Sequence, residues 1–205
     1  MARRLIGATL IRRVPSGEAD CGLVMVARIV ETEAYLPLVD PSCHAYRGPT
    51  KRNASAFGRP GTAYVYFIYG NHFCLNVVTE RPGIGAAVLI RAAEPVGGIE
   101  AMRRRRPGVP DARLACGPGN LCRAMSIDRK EDGDDLSGCG DLRITASEAR
   151  VSPVHAGPRI GLSVARDWPL RFFDPTSESV SAHRGGRPDR HNVEHFVDER
   201  ARSVL

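Results

Sequence analysis

The sequence predicts an α+β fold: a single domain built on a curved, mainly antiparallel β-sheet flanked by helices. Three observations carry this. Apolar runs follow one another across turn-rich breaks at Pro15-Ser16-Gly17-Glu18 and Gly70-Asn71, the way antiparallel neighbours are joined. Helical patterning is confined to two short stretches in the second half of the chain. At 205 residues, with 42% hydrophobic and 25% charged content, there is room for one sizeable core or at most two small ones.

The elements follow in order. Residues 5–14 and 22–35 read as the first two strands. Residues 36–61 are rich in Pro, Gly and polar side chains and predict a long ordered loop; loops of this length in a compact domain are usually functional or disordered. Pro60-Gly61 opens a third strand, 62–69, and a tight turn leads into a fourth, 73–79. Pro82-Gly83 and Gly85 separate it from a fifth, 86–93. Helices are expected at 97–106 and 119–127, then an acidic, glycine-containing solvent loop at 128–140. Short strands are expected near 141–146, 158–163 and 170–173. From Asp174 onward apolar residues thin out, which places the domain at residues 1–174 and a polar, loosely ordered tail at 175–205. No internal repeat is visible.

Composition narrows the function. The chain has no apolar run of about 18 residues and no hydrophobic signal core at its N-terminus, so a soluble, cytoplasmic protein with no membrane partner is expected. The net charge of +6 and pI near 9.3 point toward a polyanionic partner. Nearly all basic residues are arginine; only Lys51 and Lys130 are lysines. Arginine suits bidentate phosphate contacts, although genome composition produces the same bias. The six cysteines are scattered without a C-x-x-C pair and read as free, mostly buried thiols. Cys43-His44 and His72-Phe73-Cys74 lack the spacing of a structural zinc site, so no metal is expected.

The most informative stretch is Arg28-Ile-Val-Glu31-Thr-Glu33-Ala-Tyr35. Strand alternation puts Glu31, Glu33 and Tyr35 on one face. A carboxylate delivered from an apolar strand beside an aromatic ring suits a water-activating general base over a flat substrate. A salt-bridged strand end is the plain alternative. In the third strand Tyr64 and Tyr66 share a face, while Tyr69 falls at the hairpin tip, where packing in a core explains a ring poorly. Asn76 inside an apolar strand needs a partner or a recognition role. Arg91 ends the run Ala86-Ala-Val-Leu-Ile and has Glu33 as its obvious partner.

Taken in order, Glu31-Thr-Glu33-Ala-Tyr35, His44, Thr50-Lys-Arg-Asn53, Pro60-Gly61-Thr-Ala-Tyr64-Val-Tyr66-Phe-Ile-Tyr69-Gly70, Phe73-Cys-Leu-Asn76 and Leu89-Ile-Arg91-Ala-Ala-Glu94-Pro95 resemble the alkyladenine (3-methyladenine) DNA glycosylase family. Gly117-Pro118-Gly-Asn-Leu121 and Pro169-Leu-Arg-Phe172 extend the resemblance over nearly all of residues 3–174. It implies a fold like the formyltransferase C-terminal domain. It also implies a cofactor-free enzyme that flips alkylated, and also deaminated, purines out of double-stranded DNA and hydrolyses the glycosidic bond. On the matching residues it makes Glu33 the general base and Arg91 its catalytic partner. Tyr35, His44, Tyr64, Tyr66, Asn76 and Leu89 become base-pocket residues, and Tyr69 the side chain that enters the gap in the DNA. With two lysines and no reason to place either beside Glu33, a Schiff-base lyase is not expected, and a monomer is the default for an enzyme that scans DNA. Asn120 and Asn71 depart from the family pattern at positions near a helix start and beside the wedge.

Other features compete for attention. His191-Asn-Val-Glu194-His195 matches the H-x-x-E-H pattern of some zinc peptidases but sits in the polar tail, with little chain left for a third ligand. Arg103 to Arg106 form a basic run on an expected helix, either a solvated face or a phosphate contact. Two further functions stay open on sequence alone: a non-catalytic nucleic-acid binder, against which Glu33 speaks, and a hydrolase of free nucleosides, against which Tyr69 speaks.

Overall fold

A computed structural model describes residues 1–146 and 153–181 and the backbone of residues 187–188. In chain order its elements are β1 (Thr9–Arg13), β2 (Val24–Tyr35), β3 (Ala63–Ile68), β4 (His72–Val78), β5 (Ala87–Gly97), α1 (Ile99–Arg105), α2 (Pro118–Ala124), β6 (Leu142–Thr145), β7 (His155–Gly157), β8 (Arg171–Phe173) and β9 (Arg187–Pro188). All strand pairs are antiparallel, in the order β3-β4-β5-β2-β8-β7-β9, with β1 pairing both β2 and β6. This is the expected α+β domain: one curled antiparallel sheet with two helices.

β2 is the strand on which the site depends. β5 runs along one edge of it for almost its whole length. The other edge changes partner midway: Val24–Arg28 pair with β1, and Glu31–Glu33 pair with β8. At the same point the β2–β5 register shifts between Ile29 and Thr32. The strand alternation reverses across this irregularity. Met25, Ala27 and Ile29 belong to the main core, yet Glu33 and Tyr35, of the same parity, face a cavity on the other side. β5 reverses with it, since Ala93 lies in the core while Leu89 and Arg91 line the cavity. A bulge of this kind re-aims side chains without ending the sheet.

The core lies on the face covered by α1 and α2, where Leu10, Met25, Ile29, Leu75, Ile90, Met102, Leu121 and Met125 are fully buried. On the opposite face, Ala56 from the loop packs against Tyr64 and Val78. β3 is an edge strand whose outward backbone groups are covered. Ala63 N–H bonds Asp134 O, Val65 N–H bonds Asp132 Oδ1, and Val65 O accepts from Arg129 Nη1. Covering an edge in this way prevents further strand pairing.

Four expectations change. Residues 158–163 do not form a strand; the short strand is β7, just before them. Residues 128–140 are not simply a solvent loop, because Glu131 and Leu136 are buried and Glu131 pairs with buried Arg12 at 2.6 Å. The chain expected to loosen after residue 174 stays packed as far as Ser181, with Ser177, Ser179, Val180 and Ser181 all buried. β5 also runs to Gly97, beyond the expected strand end, because Ala93–Glu94–Pro95 keep their pairing with β2. Apart from β9, the rest of the tail, including His191-Asn-Val-Glu194-His195, lies outside the described residues.

The Arg103–Arg106 run is engaged within the chain. Arg103 binds Asp111 (Nη2–Oδ2 2.6 Å) and Glu100, Arg104 and Arg105 bind Asp20, and Arg106 donates to the carbonyls of Arg113 and Leu114.

Candidate active site

A cavity of about 470 Å³ opens on the face of the sheet opposite the main core, and the first residues of α2, Pro118 to Asn120, reach its rim. β2, β3, β4 and β5 form its floor, the loop 36–61 one wall, and the residues expected as a strand, Ile160 to Leu162, another. Glu33, Tyr35, His44, Tyr64, Tyr66, Tyr69, Asn76, Leu89 and Arg91, singled out in the sequence, all line it. A volume of this size suits a drug-sized or nucleobase-sized ligand.

Glu33 is wholly buried. Its Oε1 accepts from the backbone N–H of Ile160 at 2.8 Å and lies 3.4 Å from Arg91 Nη1. Its Oε2 accepts from the Tyr35 hydroxyl at 2.9 Å. Burial pushes the Glu33 carboxyl above its ordinary value, only partly offset by Arg91, Ile160 N–H and Tyr35. Two oxygens offer about four acceptor sites, so Oε2 keeps acceptor capacity beyond the Tyr35 hydroxyl.

Three rings build the pocket. His44 meets Tyr66 edge-on, with centroids 4.5 Å apart, and Tyr66 lies 5.3 Å from Tyr64. His44 Nδ1 is 3.0 Å from the Tyr64 hydroxyl. Burial and then Arg52 lower the His44 pKa, while burial pushes Tyr64 up to about 12, so both are neutral at physiological pH. Asn76 Nδ2 donates to the carbonyls of Tyr64 (3.0 Å) and Cys74 (3.4 Å), which satisfies a polar group that an apolar strand would otherwise leave costly.

The loop wall is fixed by side chains whose purpose the sequence did not disclose. Asn53 is a latch: its Oδ1 accepts from Thr50 N–H (2.6 Å), and its Nδ2 donates to the carbonyls of His44 (2.9 Å) and Gly48 (3.2 Å). Gly85 allows the wall to close, because a Cβ there would stand 2.6 Å from Ala45 Cβ and 2.8 Å from the Phe57 ring. Asp40 and Arg159 form a fully buried ion pair with Nη2–Oδ1 at 3.0 Å, and Arg159 lies 4.7 Å over the Tyr35 ring. That pair ties the loop to the segment that carries Ile160. Asp40, Arg159 and Ile160 were missed; the one sequence signal was a charged pair in segments otherwise rich in Pro and Gly.

Tyr69 stands at the tip of the β3–β4 hairpin, 79% exposed. Tyr69 (φ 55°) and Gly70 (φ 73°) are both left-handed, and Asn71 N–H closes the turn onto Ile68 O at 3.3 Å. The register pairs Ile68 with His72, so Tyr69, Gly70 and Asn71 form a three-residue hairpin loop. Asn120 also lines the cavity, but its Nδ2 is committed to Cys116 O at 2.7 Å. Among the described residues no group of three or more His, Cys, Asp or Glu could hold a metal ion.

A buried acid under a cluster of aromatic rings, beside an exposed ring on a hairpin tip, has the shape and chemistry that a flat substrate would require. Comparison with known proteins gives this class its family. The model for methylpurine-DNA glycosylase matches residues 1–178. The chain is 46% identical over 190 residues to a protein of Methanocella arvoryzae (91% of this chain, 92% of that protein). It is 41% identical to one from Chlorobaculum parvum (93% and 88%) and 43% identical to one from Carboxydothermus hydrogenoformans (88% and 92%). All three carry the provisional name 3-methyladenine DNA glycosylase. The chain belongs to the methylpurine-DNA glycosylase family.

Proposed function

We propose that the protein is a monofunctional, monomeric DNA glycosylase of base excision repair. It takes alkylated, and also deaminated, purines out of duplex DNA and hydrolyses their N-glycosidic bond. The observation that carries this is the buried Glu33 carboxylate, held by Ile160 N–H, Arg91 and Tyr35 beneath the rings of the cavity.

In this mechanism the extruded base enters between Tyr35 and the His44–Tyr66 pair. Extrusion costs a few kcal/mol, least for a lesion that pairs badly, and stacking returns about 1–3 kcal/mol per base. A positively charged alkylpurine gains further from the ring faces. A neutral His44 that accepts a hydrogen bond from the Tyr64 hydroxyl at Nδ1 carries its proton on Nε2, where it can donate to the base. Glu33 takes a proton from water as the water oxygen bonds C1′. The C1′–N bond breaks, its electron pair leaves with the purine, and an abasic site remains. Arg91 steadies the carboxylate, Tyr69 fills the gap in the stack, and Asn76 and Leu89 shape the pocket against an unwanted exocyclic group. Lys51 and Lys130 are the only lysines and neither lines the cavity, which supports hydrolysis without a covalent amine.

Single-turnover incubation with duplexes carrying 3-methyladenine, 1,N6-ethenoadenine or hypoxanthine tests this. Wild-type protein should release free base and leave alkali-labile strands. Glu33→Gln should slow excision by at least about 100-fold, the range of a lost general base, and still bind the damaged duplex. Excision by the variant at the wild-type rate would refute the assignment.

A further inference from the structure

Glu31 is a second wholly buried acid, two residues from Glu33, and it does not line the cavity. It accepts from Ser181 twice, from the backbone N–H at 2.8 Å and from Oγ at 2.9 Å, and pairs with Arg171 Nε at 3.0 Å. Arg91 bridges the two acids, with Nε 3.5 Å from Glu31 and Nη1 3.4 Å from Glu33. Those are ion-pair separations, too long to fix the angle of a planar guanidinium. The contact that does fix it is the hydrogen bond from Arg91 Nε to Ser181 Oγ at 3.2 Å. The Ser181 hydroxyl therefore accepts from Arg91 and donates to Glu31, and it lies beyond residue 178, where the family match ends.

We propose that Ser181 and Glu31 form a positioning relay that holds the Arg91 guanidinium against Glu33, so that the C-terminal segment completes the active site. The relay rests on Glu33 being the general base. The groups around Glu33 are Arg91 from β5, Arg171 from β8, Cys74 from β4, and Tyr35 and Glu31 from its own strand. Arg91 is the cation in direct contact with it. When Arg91 is released, the ionised form of Glu33 loses its nearest positive charge, and the acid limb of excision moves to higher pH.

The test uses the full chain with Ser181→Ala, and with Ser181→Val against Ser181→Thr, a pair matched in shape that differs in the hydroxyl. For Ala and Val we expect single-turnover excision at neutral pH to fall at least about tenfold, within the range of a mispositioned reacting group. Their acid limb should shift upward, while binding to a duplex with an abasic-site analogue is unchanged. Thr should restore both rate and limb. An acid limb that stays in place in Ser181→Val, with or without a lower melting temperature, overturns the relay. If Glu33→Gln is inactive in the same assay, that failure belongs to the relay alone; if Glu33→Gln is active, the base assignment has failed first.

Discussion

Glu33 carries a cost that its neighbours only partly offset. Burial outweighs Arg91, the Ile160 N–H and the Tyr35 hydroxyl, so the fold favours the protonated acid. The sign follows from linkage. The folded pKa exceeds the unfolded one, so the stabilisation is fully present below the unfolded pKa and is lost as pH rises through the folded pKa. Glu33→Gln should therefore melt at a higher temperature than wild type at neutral pH, with the difference shrinking as pH falls. Paired thermal melts across the acid-to-neutral range measure this, and a variant less stable at every pH would contradict it. If Glu33 is the proposed base, excision needs its ionised form, so the acid limb should lie above the ordinary carboxylate range.

Two elements deliver the site, and each has its own test. The β3–β4 hairpin holds Tyr69 at φ 55°, a conformation that costs a side chain about 1–3 kcal/mol where nothing compensates. Glycine adopts it freely but loses about 0.5–1 kcal/mol of chain entropy. Tyr69→Gly is accordingly expected to lose no stability in urea titrations, yet to excise from duplex at least about tenfold more slowly, since the unstacked gap is left unfilled. Unchanged excision would remove Tyr69 from the mechanism. The Asp40–Arg159 pair joins the loop 36–61 to the segment of Ile160. Asp40→Ala leaves a fully buried guanidinium unpaired and should destabilise the fold by about 3–5 kcal/mol. A loss below about 1 kcal/mol in denaturant unfolding would mean that water or another acid reaches Arg159.

Across the whole molecule the net charge of +6 already counts every acid, so an arginine paired with a carboxylate adds nothing to it. The most conspicuous basic run, Arg103–Arg106, is bound to Glu100, Asp111, Asp20 and backbone carbonyls. Duplex affinity should fall with salt, by about 0.9 in log–log slope for each phosphate contacted. Replacing Arg103 and Arg104 together with Ala should leave that slope unchanged in anisotropy titrations. A slope reduced by about two contacts would place this helix on the DNA.

Most strands, the β3–β4 hairpin and both helices were legible in the chain's own pattern, and the family resemblance added the side chains that line the cavity from Glu33 to Arg91. Period-2 runs between Pro and Gly breaks specify strands locally, and Glu33, Tyr35, Tyr66, Tyr69 and Arg91 stood out because each breaks the pattern around it. Tertiary structure alone decided how Glu33 reaches the cavity. Simple alternation from Ile29 would send Glu33 into the core, and the register shift that turns it around lies where β2 changes partner from β1 to β8. It also decided the supports, Ile160 N–H, Asp40–Arg159 and Ser181, which come from segments far away in the chain. A loop backbone N–H or a serine in a polar stretch carries no periodic signal. Such groups acquire a role only when folding brings them to a buried carboxylate that needs a donor.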